Sequence, residues 1–230
     1  MSDIARNLAR IRASIARACS RAGRSPDTVR LVGVTKTVDV GRVREGVSAG
    51  IAVLGENYVQ EARQKREALS DVQVEWHFIG HLQSNKAKVA VECFDWIHTV
   101  DREKLARELD RQALKKGRRI PVLIQVNTGD EASKSGVPPQ KALELFRAVT
   151  PLEGLSLRGL MTLPPYLEDL EAVRPHFRLL REILDRMRQE ASEPEALAEL
   201  SMGMSHDFET AIEEGATMIR VGTALFGKRD

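Results

Sequence analysis

Short apolar runs of strand character recur along the chain at residues 29–35, 51–55, 74–79, 96–100, 121–126, 157–161, 199–202 and 218–221, and polar, helix-type stretches separate them. Those stretches fall at 40–49, 59–69, 85–94, 102–116, 139–149, 170–190 and 208–214. A helix between two strands returns the chain to the end where the next strand begins, so the strands pair in parallel. About eight such units is the number that closes a (β/α)8 barrel. The competing arrangement, an open doubly wound sheet, needs a glycine-rich turn after its first strand to receive a nucleotide, and Thr35-Lys36-Thr37 follows Val34 instead. Ahead of the first strand, Ile4, Leu8, Ile11, Ile15 and Ala18 recur at helical spacing with arginines between them, up to Gly23. The expected fold is therefore α/β, a single (β/α)8 TIM barrel with an extra N-terminal helix. At 230 residues, with no repeat, linker or low-complexity tract, residues 1–230 read as one domain.

Charge narrows the partners. Lys and Arg number 35 against 33 Asp and Glu, a net charge of +2 with the basic residues scattered, so no broad field draws the chain to nucleic acid or a membrane surface. The start, Met1-Ser-Asp-Ile-Ala-Arg, carries no apolar signal region, and no stretch has the length of a spanning helix. A cytoplasmic location is expected. Cys19 and Cys93 stand far apart without a His/Cys cluster, which favours reduced packing residues over a disulfide or a zinc site.

In a barrel of this kind the active face is built from residues just beyond the C-terminal ends of the strands. Those positions hold Lys36, Glu56 and Asn57, then His81 with Gln83, Ser84 and Asn85, then Thr99 and Asp101, Asn127 with Asp130 and Lys134, Thr162, Ser201 and Ser205, and Arg220, Gly222 and Thr223. Polar strand ends locate a site in any barrel; Lys36 and the last two loops say more. A lysine delivered by an apolar strand is partly desolvated, which favours the neutral amine and makes it a nucleophile towards an aldehyde. Taken alone, Lys36 is also compatible with a rim lysine in a salt bridge. The segments 200–206 and 218–227 supply hydroxyls, glycine amides and an arginine where barrels commonly seat phosphate, after strands 7 and 8. Ser205 or Asp207 taken singly reads as a helix N-cap. A lysine and a phosphate cup together suggest pyridoxal 5′-phosphate.

Other candidates are weaker. His77 and His81 flank a strand end rather than a helical HExxH, so zinc is not expected, and His77 points inward while His81 stands at the rim. Ser201-Met-Gly203-Met-Ser205 is not a G-x-S-x-G elbow. The basic pieces 63–66 and 115–119 read as solvated outer faces of helices.

The segments Val32-Gly-Val-Thr-Lys36, Gly55-Glu-Asn57-Tyr-Val-Gln-Glu61, Trp76-His-Phe-Ile-Gly80-His81-Leu-Gln-Ser84-Asn-Lys86, Gln125-Val-Asn127-Thr, Arg158-Gly-Leu-Met161, Leu200-Ser-Met-Gly-Met-Ser205 and 219–227 run in order across almost the whole chain. On them the chain resembles the pyridoxal phosphate homeostasis protein family, also called YggS/PROSC-like. The resemblance implies a barrel similar to the N-terminal domain of alanine racemase. It implies that Lys36 carries the cofactor as a Schiff base, that Ser205, Gly222 and Thr223 hold its phosphate, that Arg220 faces the pyridine nitrogen, and that Asn57 and Met202 line the ring pocket. An arginine there only donates, so it keeps that nitrogen unprotonated and weakens the ring as an electron sink. Racemisation needs a second acid/base opposite the lysine. In alanine racemase that group comes from an additional β domain, which this chain, ending at Asp230, does not show; Tyr166 is the remaining candidate. The expected function is binding, buffering and delivery of pyridoxal phosphate by a monomer, with apo PLP-dependent enzymes as possible recipients and no reaction of its own. The alternative is a weak amino-acid racemase or decarboxylase.

Overall fold

The computed structural model describes residues 2–129, 131 and 134–227. The strands β1 (Arg30–Val34), β2 (Val53–Glu56), β3 (Glu75–Phe78), β4 (Trp96–Val100), β5 (Ile120–Val126), β6 (Leu155–Thr162), β7 (Glu199–Ser201) and β8 (Met218–Val221) form a closed barrel in sequential order. All pairs are parallel, and β1 closes on β8 with Val32 level with Arg220 and Gly33 level with Val221. Each strand begins and ends within two residues of the sequence expectation.

The helices are α1 (Asp3–Arg21), α2 (Val40–Ser48), α3 (Val59–Ala68), α4 (Ala87–Cys93), α5 (Glu103–Lys115), α6 (Ala142–Val149), α7 (Leu170–Glu190), α8 (Phe208–Glu213) and α9 (Thr223–Phe226). Two expected helices open with separate 3-10 turns, Ser84–Lys86 before α4 and Pro139–Lys141 before α6. Pro139 has no N–H to donate and suits a first turn, where that donor would have no partner. The single turn α9 was not expected, because four residues carry no readable period.

The extra helix α1 starts where Ser2 accepts a hydrogen bond from Ala5 N at 3.2 Å, and it ends before Gly23, whose φ of 64° suits glycine. Ile4, Leu8, Ile11 and Ile15 form its buried stripe, each contributing about 1.5–3 kcal/mol. That stripe packs α1 against α2, α8 and α9, over the seam where β8 meets β1. The N-terminal helix therefore braces the two strands that supply Lys36 and Arg220.

Side chains alternate across the barrel wall. The outward set, including Leu54, Phe78, Ile97 and Ile219, joins the apolar layer beneath the helices. The inward set packs a separate small cluster of Val32, Val53, Trp96, Leu123, Met161 and Met218. A barrel lumen is normally filled by branched apolar residues. Here His77, His98, Ser201 and Arg220 are also buried, and they continue the inward alternation of their strands.

Candidate cofactor site

Lys36 lies half-buried in the turn immediately after β1. Val38 N donates to Thr35 O at 3.0 Å across that turn, and Thr37 takes φ 61°. A positive φ at the third position belongs to a type II turn, which favours Gly or Asn, and a β-branched residue there is strained by about 1–3 kcal/mol. Such a conformation persists only where its surroundings fix it. They do so from the outer side of the wall. Thr35 Oγ1 donates to Glu56 Oε1 at 2.7 Å, and Thr37 N donates to Glu61 Oε1 at 2.6 Å. Lys65 Nζ joins the pieces, donating to Glu56 Oε1 at 2.7 Å, Glu61 Oε1 at 2.6 Å and Thr35 O.

Lys65 corrects the expectation that 63–66 is a solvated face: it is only 4% exposed. Its position on α3 falls in the buried row Val59, Ala62, Lys65, and the buried carboxylate of Glu56 compensates its charge. Burial raises the pKa of Glu56, while the Lys65 hydrogen bond opposes that shift.

Beside this turn, β7 and β8 send out the two loops of the expected phosphate cup. Ser205 Oγ accepts a 3.4 Å hydrogen bond from Ala224 N, which ties the β7 loop to the first turn of α9. Thr223 is exposed and Gly222 half-buried. A Cβ on Gly222 would meet Val34 at 3.4 Å, an ordinary contact, so packing within this chain does not demand glycine there. Its bare backbone instead borders a hollow of about 480 Å³ that Val34, Thr37, Val38 and Thr223 also line. A second hollow of about 600 Å³ adjoins Ser205, His206 and Ala224. Neither Ser205 nor Asp207 caps α8 with its side chain; Asp207 Oδ1 accepts from Met204 N at 2.6 Å and closes the loop that carries Ser205. Burial raises the pKa of Asp207.

Arg220 enters from inside the wall, 3% exposed. Nη1 donates to Ser201 Oγ at 2.6 Å and Nη2 to Thr162 O at 2.7 Å. Among the described residues no carboxylate lies within ion-pair distance of its guanidinium. Burial pushes its pKa down to about 10. Asp207 acts on it only from beyond ion-pair contact, and an electron-rich or anionic group seated at the mouth would compensate the buried charge further. Lysine amine, hydroxyls, open glycine backbone and this arginine are the donor set that pyridoxal phosphate requires, and they converge on neighbouring strands β7, β8 and β1. The residues fit the group.

The remaining expected positions are spread around the mouth. Asn57 is half-buried, and its backbone lies so close to Gly80 that a Cβ there would come within 2.2 Å of Asn57 O. Met202 is fully buried in the outer apolar layer, so its side chain offers no accessible surface to a ring, contrary to the expectation that it lines the pocket. His81 stands at the rim as expected, its Nδ1 3.0 Å from Ser135 Oγ and 3.7 Å from Asp101 Oδ2. Thr99 is buried, and Asn127 Nδ2 and Lys134 Nζ are taken up by Glu131 O and Pro164 O. Asp130 lies outside the described residues. Tyr166 is 70% exposed, with its ring centroid 5.0 Å from that of His206. Among the described residues there is no cluster of His, Cys, Asp and Glu fit for a metal and no helix long and apolar enough to cross a membrane.

The sequence expectation put Lys65 on a solvated face and did not single out His98. The signals were present: Lys65 follows Ala62 and Val59 at helical spacing, and His98 shares the alternation of Trp96, an inward position.

Comparisons with known proteins extend this picture. The profile of the alanine racemase N-terminal domain family matches residues 6–230. The pyridoxal phosphate homeostasis protein of Aquifex aeolicus is 50% identical over 222 residues, 96% of each chain. PipY of Synechococcus elongatus, solved with PLP bound, superposes with a TM-score of 0.87 at 38% identity, covering 98% of this chain and 100% of that one. Alanine racemase of Clostridium difficile shares the fold at 14% identity, with a TM-score of 0.72, over all of this chain but 57% of its own. A match that spans the barrel from α1 to α9, at half the residues identical, leaves one assignment: the chain belongs to the alanine racemase N-terminal domain family and, within it, to the pyridoxal phosphate homeostasis proteins.

Proposed function

We propose that the chain binds pyridoxal 5′-phosphate at the barrel mouth and serves in its homeostasis, buffering and delivering the cofactor. The observation that carries this reading is the buried Arg220, which has no carboxylate in ion-pair contact among the described residues, set beside a turn that presents Lys36. The bound cofactor supplies an electrophilic aldehyde and an electron-accepting ring. Lys36 would hold the aldehyde carbon through its amine, and Ser205, Thr223 and the backbone at Gly222 would hold the phosphate. Arg220, already bonded to Ser201 and Thr162, would direct an N–H at the ring nitrogen. Asn57 would border the ring, and Met202 would contribute only backbone. PipY, solved with PLP bound, and the homeostasis proteins of similar sequence support this assignment.

Binding without turnover is supported by the surroundings of Tyr166. Tyr166, the tyrosine weighed as a second acid/base, stands largely in solvent against His206, where water competes for its hydroxyl. An acid/base that is solvated rather than positioned loses most of the about 10²–10⁴-fold that a positioned one supplies. The 230 residues act as a single domain on this reading, as a cytoplasmic monomer whose partners are the cofactor and the apo enzymes that receive it. Borohydride reduction of the loaded protein followed by tryptic mapping tests the site, with label expected on Lys36. Label on Lys86 or Lys134 overturns the assignment. A turnover screen with alanine, serine and ornithine tests the absence of a reaction. Rates of about 1–10³ per second would make the protein an enzyme.

A further inference from the structure

The lumen carries a chain of polar side chains beneath Arg220 that the cofactor reading does not use. Ser201 Oγ, which accepts from Arg220, lies 2.9 Å from His98 Nδ1; His98 Nε2 lies 2.8 Å from His77 Nδ1. His77 Nε2 stands 3.3 Å from Glu75 Oε2, too poorly aligned for a directed hydrogen bond. Glu75 opens β3 at the opposite end of the barrel, where Trp96 Nε1 donates to it at 2.9 Å and Arg30 approaches to 3.5 Å. His77, His98 and Ser201 are fully buried.

We propose that His98 is a positioning residue for Arg220: its Nδ1 takes the Ser201 hydroxyl proton, which turns the Ser201 oxygen towards Arg220 and fixes the guanidinium below the mouth. The two ends of the chain dictate this direction. A guanidinium only donates, and a carboxylate only accepts. The nitrogen of His77 facing Glu75 must therefore carry a proton, since a lone pair there would face a carboxylate. A neutral His77 then accepts at Nδ1 from His98 Nε2–H. A neutral His98 in turn has a lone pair at Nδ1, and Ser201 donates to it. The opposite order would put Nδ1–H of His98 against Ser201 and a lone pair against Glu75. Neutrality of both rings agrees with their burial, which lowers the pKa of His77 and holds that of His98 well below the ordinary range, with the positive charge of Arg220 acting the same way on His98.

The link to cofactor retention rests on the proposed function; the bond direction does not. The test therefore has two arms. In the cofactor-free protein, nitrogen NMR of labelled histidine should show a proton on Nε2 and none on Nδ1 of both rings, and relaxation of the Arg220 Nε–H should report a rigid side chain. His98→Asn and His98→Leu have nearly the same shape, but only Asn keeps an acceptor near the place of Nδ1. His98→Leu and Ser201→Ala should each mobilise Arg220 and release pyridoxal phosphate about tenfold faster, the scale of one hydrogen bond to a charged group. His98→Asn should stay within about threefold of wild type, and the Leu/Ala double variant should release no faster than either single one, as expected of one shared contact. A proton on His98 Nδ1, or equal behaviour of the Asn and Leu variants, overturns the proposal. If the wild type retained no pyridoxal phosphate, the cofactor reading would fall while the tautomer and Arg220 relaxation would still decide the chain.

Discussion

Replacing Lys65 with methionine tests whether the strained turn under Lys36 is held from outside the barrel wall. Methionine keeps the buried stem and removes the charge, so packing changes little. Glu56, fully buried, loses its counter-ion; Glu61, more exposed, can rehydrate. Leaving an uncompensated charge in the interior costs about 3–5 kcal/mol. Glu56 escapes that cost by taking a proton, which it must hold against an ordinary value of 4.5 in the unfolded chain. At about 1.4 kcal/mol per pH unit, this route costs about 3.4 kcal/mol at pH 7 and about 0.7 at pH 5. The Thr35 carbonyl, left without Lys65, adds about 1 kcal/mol at either pH. The sign follows from the direction of the shift: an acid whose pKa is raised on folding contributes stability below its unfolded value that is lost as pH rises. Lys65→Met should therefore lose about 4 kcal/mol at pH 7 and about 2 at pH 5 relative to wild type. Urea unfolding followed by fluorescence of the buried Trp76 and Trp96 measures both. An equal loss at the two pH values, or a loss under about 1 kcal/mol at pH 7, refutes the network as the support of the turn.

Three further outcomes follow from the same structure. Thr37→Asn relieves a β-branched residue at φ 61° and should raise stability by about 1 kcal/mol in the same urea assay, with a neutral or negative change counting against strain at the turn. Gly159→Ala places a Cβ 1.9 Å from Glu199 O at φ 152°, next to the register shift between β5 and β6; it should cost about 2–5 kcal/mol, and a urea midpoint near wild type would mean that β6 and β7 separate easily. Ser205→Ala with Thr223→Val should leave the urea midpoint within about 0.5 kcal/mol while weakening pyridoxal phosphate binding by about 10–100-fold in equilibrium dialysis, and unchanged affinity would remove the cup from the phosphate.

The barrel was legible because its strands are buried on both faces and read as apolar runs, with turn residues marking their ends. Elements shorter than a helical period were not: α9, four residues long, escapes any periodicity. The residues around the barrel mouth were legible where a polar or glycine position coincides with a strand end, as at Lys36 and at Ser205, Gly222 and Thr223. It was not legible where a polar residue is buried by a partner distant in the chain. Lys65 sits among Arg63 and Arg66 and looks like part of a charged surface, and only the position of Glu56 behind α3 makes it interior. The positive φ of Thr37 was hidden for a similar reason, since threonine is a residue that signals strand rather than a left-handed turn. The side of the wall that Met202 takes was not legible either, because proximity in sequence to Ser201 and Ser205 does not fix it.

Two buried polar systems thus meet the mouth from opposite sides of the same wall. Outside, Glu56, Lys65 and Glu61 hold the backbone of the turn; inside, Ser201 and Thr162 hold the guanidinium. The bonds of Lys65 to Glu56 and of Arg220 to Ser201 and Thr162 lie where water cannot compete, so they are stronger than their surface counterparts and harder to rearrange. The turn that carries the lysine and the guanidinium of the arginine are therefore set in place before any ligand arrives. A prearranged site with an exposed rim separates two properties that a carrier must combine. On the proposed reading, the buried donors are fixed in advance, whereas Thr223 and Ser205 hold the phosphate at a rim that meets solvent. Substitutions in the two places should accordingly differ in kind: those at Lys65 or His98 disturb the cofactor-free protein as well, in its stability or in the mobility of Arg220, whereas those at Thr223 or Ser205 should show only in cofactor binding.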